Sequence, residues 1–351
     1  MCTLEVVQNI YSHIMDDKSR EIYINRLNFS LTGDEKFLEK IIDRYMRQNT
    51  KWMAFIRQLE ETAKWNKLVI FGAGIWGKIL YKETAQTIGW SQIIDSNASK
   101  KIIGKLKVLD FKEYIQHYDN EYIVVSSYKN YSSMFTQLCK AGIPKDRIID
   151  AGQIIYEMTE KAIYFDLEEL QPQREKELFV DAGAYDGLTT KEFMNWCHNK
   201  GYAYCFEPDD DNIARIKANL QGDVSYEIVP SALWSNSTIL TLNARQNFAT
   251  SVHEIDEENN FEKIKAVSLD DFLENKRVTF IKMDIEGAEL EALKGAKRTI
   301  ITQKPKLAIS IYHKREDIWQ LPALILEYCP DYRLYLRHYS FSDYDTVLYA
   351  V

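Results

Sequence analysis

The sequence predicts an α/β protein with two Rossmann-like domains and a helical N-terminal lead-in. Two glycine-rich loops, at residues 72–77 and 183–187, carry this prediction, because each follows a short apolar run and precedes a helical pattern. A third observation supports it: the next apolar run ends in an acidic residue about 20 residues after each loop, at Asp95 and at Glu207. The order of strand, glycine turn, helix, strand and acid is typical of nucleotide-binding units.

The length and composition of the chain favour a cytoplasmic protein of two domains. The chain has 351 residues, of which 46% are hydrophobic, as in ordinary globular proteins. No apolar run approaches the roughly 20 residues of a membrane span, and the first residues lack the pattern of a secretory signal. The net charge of −8 argues against a nucleic-acid partner, because such proteins carry basic surface. The five cysteines are odd in number and far apart, so we expect reduced thiols.

Changes in composition divide the chain into four segments. Residues 1–65 are nearly free of glycine and proline and repeat apolar residues at helical spacing, which predicts a helical lead-in. Residues 66–155 then alternate short apolar runs with helical patterns, as a small Rossmann-like domain does. Residues 156–176 are richer in charge and contain a proline, so we expect a linker there. Residues 177–351 form the second predicted domain.

The first glycine loop has the GxGxxG spacing of dinucleotide-binding proteins. Gly72, Gly74 and Gly77 follow an apolar strand, and Asp95 ends the next one, where its carboxylate could accept ribose hydroxyls. Two interpretations stay open at this point. The domain either binds a nucleotide or nucleotide sugar, or keeps the fold and only packs, because a fold does not establish a function.

The second glycine loop opens the second domain. Asp181, Gly183 and Gly187 bracket a turn that lets the backbone approach a ligand, and the helix that follows offers unpaired amide donors. Glu207 ends the next strand and is placed to hold ribose hydroxyls. The aspartates at residues 209–211 crowd the start of the following helix, where we expect them to cap it.

Two later strand ends carry candidate catalytic groups. Asp284 and Glu286 follow an apolar strand, and carboxylates there could act on an acceptor, steer a cationic centre or bind magnesium. The sequence offers no third obvious metal ligand, so no metal site is predicted. His313 ends a further apolar run, where it could accept a proton near neutral pH. Glu289 and Glu291 are expected to be solvated on the helix between them.

The motifs of the second domain, taken in order, resemble those of the FkbM-type S-adenosylmethionine-dependent methyltransferases. The resemblance covers residues 177–351 and rests on DAGAYDG, FEPD, SALWS, SLDDFL and KMDIEGAE. It implies a class I methyltransferase sheet whose last strand is antiparallel, S-adenosyl-L-methionine as cofactor, and methyl transfer to hydroxyl oxygens of glycans or natural products. More loosely, residues 66–155 resemble small nucleotide-sugar-type units found beside enzymes of glycan biosynthesis.

The resemblance also implies roles for individual residues. The loop around the methionine part of the cofactor matches Asp181, Gly183, Tyr185, Asp186 and Gly187, with Tyr185 standing where the family often has asparagine. Glu207 matches the ribose acid, Ser231 and Ala232 the segment near adenine, and Asp284 and Glu286 the acidic motif beside the transferred methyl group.

The function hypothesis is therefore O-methylation, with Asp284 or His313 accepting the proton of the hydroxyl. The rival hypotheses are an enzyme that uses a nicotinamide or nucleotide sugar at the first glycine loop, and a non-catalytic nucleotide-binding scaffold. No hydride-transfer residues accompany the first loop, which weighs against the former. The acceptor is expected to be a small molecule or glycan, and the sequence does not define the oligomeric state.

Overall fold

The computed structural model describes residues 3–98, 101–159, 163–173, 176–222, 224–243, 261–340 and 342–351. Two compact units make up this structure. The larger unit joins Met1–Ile42 to Ala162–Val351, and the smaller unit is Asp43–Lys161. The smaller unit is thus inserted in the sequence of the larger one. This division differs from the predicted one, in which the lead-in extended to residue 65 as a segment of its own.

Helices occupy the N-terminal region, as its sequence pattern predicts. They are Leu4–His13 (α1), Asp17–Thr32 (α2), Lys36–Gln48 (α3) and Thr50–Ala63 (α4). The side chains of Thr3, Asp16 and Asn49 accept hydrogen bonds from the first turns of α1, α2 and α4, so local capping sets where these helices begin.

Helix α2 belongs to the larger unit because it packs on the end of the chain. Ser19 Oγ accepts a hydrogen bond from the backbone nitrogen of Leu336 at 2.8 Å. Asp16 and Arg337 form an ion pair at 3.0 Å. Contacts between residues so far apart in sequence are not visible to local pattern reading, and they explain the difference in the boundary.

The smaller unit is a Rossmann-like α/β structure, which confirms the predicted fold class there. Its strands are Leu68–Phe71 (β1), Gln92–Asp95 (β2), Ile102–Ile103 (β3), Leu106–Asp110 (β4), Tyr122–Val125 (β5) and Ile148–Asp150 (β6). Its further helices are Ile75–Thr84 (α5), Phe111–Ile115 (α6), Tyr131–Lys140 (α7) and Gly152–Thr159 (α8). Within the described residues the strand order is β3-β4-β2-β1-β5-β6, and the pairs are parallel except β3 with β4.

The larger unit has a mixed sheet with helices on both faces. Its strands are Glu177–Ala182 (β7), Gly201–Phe206 (β8), Tyr226–Val229 (β9), Ala232–Leu233 (β10), Thr238–Asn243 (β11), Phe261–Val267 (β12), Phe280–Met283 (β13), Lys306–Ser310 (β14), Leu334–His338 (β15) and Thr346–Ala350 (β16). Its helices from the second glycine loop onward are Leu188–Trp196 (α9), Asp210–Asn219 (α10), Leu269–Leu273 (α11), Glu289–Gly295 (α12), Lys297–Gln303 (α13) and Asp317–Tyr328 (α14).

The strand order of the main sheet places the site. In the described part of the chain the order is β15-β16-β14-β13-β7-β8-β9, and β10, β12 and β11 form a separate small sheet. Strand β16 is antiparallel to both of its neighbours, so the expected reversed last strand is present. The chain leaves β7 toward β8 on one side and returns to β13 on the other. Ligands of such sheets bind where the order reverses, at the C-terminal ends of β7 and β13.

Apolar packing holds both faces of this sheet. One face buries aliphatic side chains such as Val180 and Ile281 together with Ile22 of α2. The other buries a group of aromatic rings, in which Phe179 stacks on Phe193 with centroids 4.4 Å apart. The burial of β7 on both faces explains its continuous apolar run. A rigid strand therefore carries the glycine loop.

Candidate active site

The loop after β7 needs glycine for a definite steric reason. Gly183 has a φ of +75°, and a Cβ added there would collide with the backbone oxygen of Asp284. The loop and the end of β13 can therefore lie against each other only with glycine at this position. Gly187 has a φ of +80° and occupies the N-cap of α9, while Asp186 accepts a backbone hydrogen bond from the first residue of that helix at 3.1 Å.

Glu207 is buried at the end of β8, with its carboxylate turned toward the glycine loop. It accepts hydrogen bonds from the backbone nitrogens of Tyr185 at 2.9 Å and Asp209 at 3.1 Å. The side-chain amide of Asn212 donates to it at 3.3 Å. A carboxylate has about four acceptor positions, so roughly one remains for a ligand. Burial raises the pKa of Glu207, and these three donors oppose that effect.

Asp181 lies behind the wall of the site instead of in it. Its side chain is fully buried, and one oxygen pairs with the ammonium of Lys282 at 3.0 Å. The other oxygen accepts a hydrogen bond from Thr190 at 2.8 Å. Lys282 also donates to the carbonyls of Ala182 at 3.0 Å and Gly183 at 2.7 Å. Asp181 therefore positions the loop through Lys282, and its carboxylate does not line the cavity.

A cavity of about 390 Å³ opens between the ends of β7, β8 and β13. It brings together most of the residues that the sequence singled out in the larger unit. Those that line it are Gly183, Tyr185, Asp186, Glu207, Ala232, Asp284 and Glu286. Of the remaining predicted site residues in this unit, Gly187 lies at the start of α9, and Asp181, Ser231 and His313 stand outside the lining.

The apolar part of the cavity contains residues that the sequence analysis missed. Leu240 of β11 and Ile264 of β12 reach it together with Leu233, and Phe206 lines it from the end of β8. Strands β11 and β12 pair antiparallel, and Leu240 lies opposite Ile264. Apolar and polar residues alternate in β11, a pattern that is typical of a strand with one buried face. What that face covers could not be read from the strand alone.

Four side chains form an acidic cluster at the end of β13: Asp284, Glu286, Glu289 and His313. The Nε2 atom of His313 lies 3.4 Å from Asp284 Oδ1 and 3.5 Å from Glu286 Oε2. Its Nδ1 atom lies 2.9 Å from Glu289 Oε1. The sequence predicted three members of this cluster, but it did not indicate that they would meet Glu289.

The prediction that Glu289 is solvated is wrong, because its side chain is buried. Helix α12 begins at this residue, and Glu289 Oε1 accepts a hydrogen bond from the backbone nitrogen of Ile285 at 2.8 Å. This hydrogen bond across the turn holds the carboxylate beneath the loop that carries Glu286. Glu291, two residues on, pairs with Lys294 near the surface.

Hydrogen bonds and charges set the protonation of the cluster. Burial raises the pKa of Asp284, but the charges of Lys282 and His313 and two tyrosine hydroxyls outweigh it, so the net shift is downward. Those hydroxyls belong to Tyr164 at 2.8 Å and Tyr312 at 3.0 Å.

The pKa of His313 is shifted upward instead. Burial lowers the pKa of its ring, whereas contact with Glu289 and the other carboxylates raises it to about 9. With three carboxylates beside it, the imidazole is protonated at neutral pH and cannot accept a further proton.

The smaller unit has a cavity of its own, of about 340 Å³. It brings Gly72, Gly74, Gly77 and Asp95 together, as their spacing predicted. A Cβ at Gly77 would collide with the backbone oxygen of Gly72, so packing of the loop on α5 also demands this glycine. Asp95 already accepts hydrogen bonds from the backbone nitrogens of Ala73 at 2.6 Å and Asn97 at 2.8 Å. The glycine pattern therefore has a structural explanation without a ligand.

One protein-family model matches part of the larger unit. Residues 181–342 match the model described as Methyltransferase FkbM domain. This match does not reach the smaller unit, whose nucleotide-sugar assignment finds no support. No curated protein compared with the chain matches it. Among the described residues, no helix is both long and apolar enough to cross a bilayer.

Solved structures with some similarity to this chain include proteins described as methyltransferases. Methyltransferase FkbM from Methylobacillus flagellatus KT is 22% identical, covers 83% of this chain and 92% of its own, and has a TM-score of 0.45. Fibrillarin from Aeropyrum pernix, solved with S-adenosyl-L-methionine, is 9% identical over 54% of this chain and 72% of its own, with a TM-score of 0.36. A SAM-dependent methyltransferase from Aquifex aeolicus is 17% identical over 56% and 96%, with a TM-score of 0.31.

Proposed function

Because residues 181–342 match the model described as Methyltransferase FkbM domain, we propose that the protein is an S-adenosylmethionine-dependent O-methyltransferase. The observation that carries this proposal is the cavity of about 390 Å³ at the point where the strand order of the main sheet reverses. We propose a hydroxyl of a sugar, glycan or natural product as the acceptor.

The residues around this cavity fit the cofactor. Gly183 leaves the backbone bare where the amino-acid end would lie, and Glu207 keeps about one acceptor position for a ribose hydroxyl. Leu240 and Ile264 offer an apolar surface of the kind an adenine ring requires. Asp186 presents a carboxylate for the ammonium group. The bound cofactor supplies an electrophilic methyl group on a sulfonium.

In the proposed reaction the S–CH₃ bond breaks as an O–CH₃ bond forms, the sulfonium becomes a neutral thioether, and the hydroxyl proton is released. The protein must hold acceptor oxygen, methyl carbon and sulfur in line. Holding the reactants in the correct orientation gives effective molarities of about 10⁵ to 10⁸ M. A positioned base, by contrast, increases the reaction rate by about 10² to 10⁴-fold. Positioning by the cavity walls therefore dominates.

Asp284 is the better of the two proposed proton acceptors. Its carboxylate lines the cavity, whereas His313 lies outside the lining and is protonated at neutral pH. Tyr164 and Tyr312 hold the two oxygens of Asp284 in place. Glu286 also lines the cavity and adds negative charge beside the sulfonium position.

A second candidate function belongs to the smaller unit. Its cavity of about 340 Å³, with Asp95 at the end of β2, has the volume for a nucleotide, nicotinamide cofactor or nucleotide sugar. In that case the larger unit would be auxiliary, or both units would be binding modules without catalysis.

Thermal unfolding in the presence of S-adenosylhomocysteine, NADH or a UDP-sugar separates these candidates, because a ligand that binds the folded state raises the melting temperature. We expect S-adenosylhomocysteine to stabilise the protein. Stabilisation by NADH alone would favour the second candidate instead. Mass analysis of candidate glycans incubated with labelled cofactor then identifies the acceptor.

The Glu207→Gln variant tests the cofactor site itself. A hydrogen bond to a charged group contributes about 1.5 to 3 kcal/mol, so we expect affinity for S-adenosylhomocysteine to fall by about ten-fold or more. Glu227→Gln, at an exposed position of the neighbouring strand β9, is the matched control and should bind as the wild type does. Calorimetric titration gives both affinities, and equal values would remove Glu207 from the site.

A further inference from the structure

The acidic cluster has the geometry of a metal site. Asp284, Glu289 and His313 each offer one ligand atom, and these atoms lie within 4.8 Å of one another. Glu286 adds a carboxylate oxygen 3.5 Å from the ring of His313. Ligands that each lie about 2.0 to 2.2 Å from one metal ion are themselves roughly 3 to 3.5 Å apart, so small shifts would bring the cluster to coordination distance.

Buried polar atoms without an aligned hydrogen bond lie in this cluster. The side chains of Glu289 and His313 are only 1% and 8% exposed. Within the described ranges, Glu289 Oε2 and both ring nitrogens of His313 lack an aligned hydrogen bond. Buried polar atoms in proteins are nearly always paired with protein, water or an ion. These buried atoms therefore have lone pairs that a bound cation could use.

The charge of the cluster favours a cation. Three carboxylates, those of Asp284, Glu286 and Glu289, surround a single imidazole. The ammonium group of Lys282 is committed to Asp181 and to two backbone carbonyls. A metal ion would neutralise the excess of carboxylates and use the lone pair that the imidazole gains on losing its proton.

We propose that Asp284, Glu289 and His313 bind one divalent metal cation, with Glu286 as a further oxygen ligand from the cavity side. Mixed imidazole and carboxylate ligands suit a first-row ion such as Mn²⁺ better than Ca²⁺. Because Asp284 and Glu286 line the cavity, the cation would face the acceptor and lower the pKa of a hydroxyl bound to it. This catalytic role rests on the proposed function, whereas the binding of the ion does not.

Binding of Mn²⁺ to the full-length protein without cofactor tests the proposal, measured by electron paramagnetic resonance and calorimetric titration. We expect one site in the wild-type protein. Loss of a ligand in Glu289→Gln or His313→Gln should weaken binding by at least about ten-fold. Glu291→Gln changes a carboxylate on the same helix that pairs with Lys294 instead, and it should bind Mn²⁺ as the wild type does.

Glutamine at position 289 can keep the hydrogen bond from Ile285, so this variant is expected to fold. Circular dichroism checks folding, and if Glu289→Gln is unfolded the result is taken from His313→Gln. Absence of a Mn²⁺ site in the wild type, or equal affinity in wild type and folded ligand variants, overturns the proposal. If the protein binds S-adenosylhomocysteine but not Mn²⁺, the proposed function stands and the metal site is overturned. If it binds Mn²⁺ but not S-adenosylhomocysteine, the metal site stands and the proposed function is overturned.

Discussion

Lys282 is the one charged residue of β13, and its ammonium group connects two neighbouring strand ends. Its side chain is buried, as is that of Asp181 on β7, so water cannot solvate either charge in place of its partner. The same ammonium fixes the carbonyls of Ala182 and Gly183 at the start of the glycine loop. The shape of the glycine loop thus depends on a buried ion pair whose Asp181 carboxylate does not line the cavity.

We predict that Lys282→Met destabilises the protein by about 3 to 5 kcal/mol, because it leaves the Asp181 carboxylate buried and uncompensated. Urea denaturation measures the change. Adding Asp181→Asn to this variant removes the buried charge and should recover part of the loss. Lys304→Met is the control, since Lys304 pairs with Asp331 at the surface, where ion pairs contribute little, so its loss should leave the stability nearly unchanged. Similar losses at both lysines would contradict this account.

At the residue scale, sequence alone predicted the residues near the cavity better than their roles. Glu207 and Asp284 were correctly expected at strand ends, because parallel strands deliver their last residues to one edge. The side chain of Asp181 turns away from that edge, which a strand pattern does not reveal. Glu289 was misread since the turn before α12, and not the helix face, decides where its carboxylate points.

Strands β15 and β16 form an antiparallel pair that buries a histidine. His338 of β15 lies opposite Thr346 of β16, and the two side chains are 2.9 Å apart. Burial, together with the charge of Arg26, lowers the pKa of His338 from 6.5 to about 3. The native protein therefore keeps this ring neutral over a range in which the unfolded chain is protonated.

From this shift we predict acid sensitivity of the β15–β16 pair. Below pH 6.5 the unfolded chain binds one more proton at His338 than the folded one, so stability is fully present above that pH and falls as pH decreases. The loss is about 1.4 kcal/mol per pH unit until pH approaches 3. In His338→Asn this contribution is absent. Urea denaturation at pH 7.5 and pH 5 should show the variant gaining about 2 kcal/mol relative to wild type at the lower pH. Parallel pH profiles would contradict the assignment.

At the element scale, most strands and helices could be predicted. Strands β1, β5, β7 and β13 contain short apolar runs between turns, which are a strong local signal for strands. Asp209 caps α10 as expected. The order of strands in the sheet could not be predicted from local patterns. It follows from contacts between distant segments, so only the resemblance, and not the local pattern, anticipated the reversed β16.

At the scale of the whole molecule, α2 tests the division into units. Ile22 is 3% exposed and belongs to the core of the larger unit, whereas Ile24 on the same helix is 39% exposed. We predict that Ile22→Ala destabilises the larger unit by about 2 to 5 kcal/mol, while Ile24→Ala changes its stability by less than about 1 kcal/mol. Urea denaturation followed by circular dichroism measures both, and the transition that S-adenosylhomocysteine shifts identifies the larger unit. Equal effects would place α2 outside that core.

During translation, α1 and α2 leave the ribosome long before the elements on which they pack are synthesised. Ser19 and Leu336, which bond to each other in the native protein, are 317 residues apart, whereas the smaller unit is continuous within Asp43–Lys161. During synthesis the smaller unit can therefore complete its sheet first, and the larger unit closes only when its last strand pair emerges. Until then α1 and α2 lack α14 and β15, the later elements on which they pack.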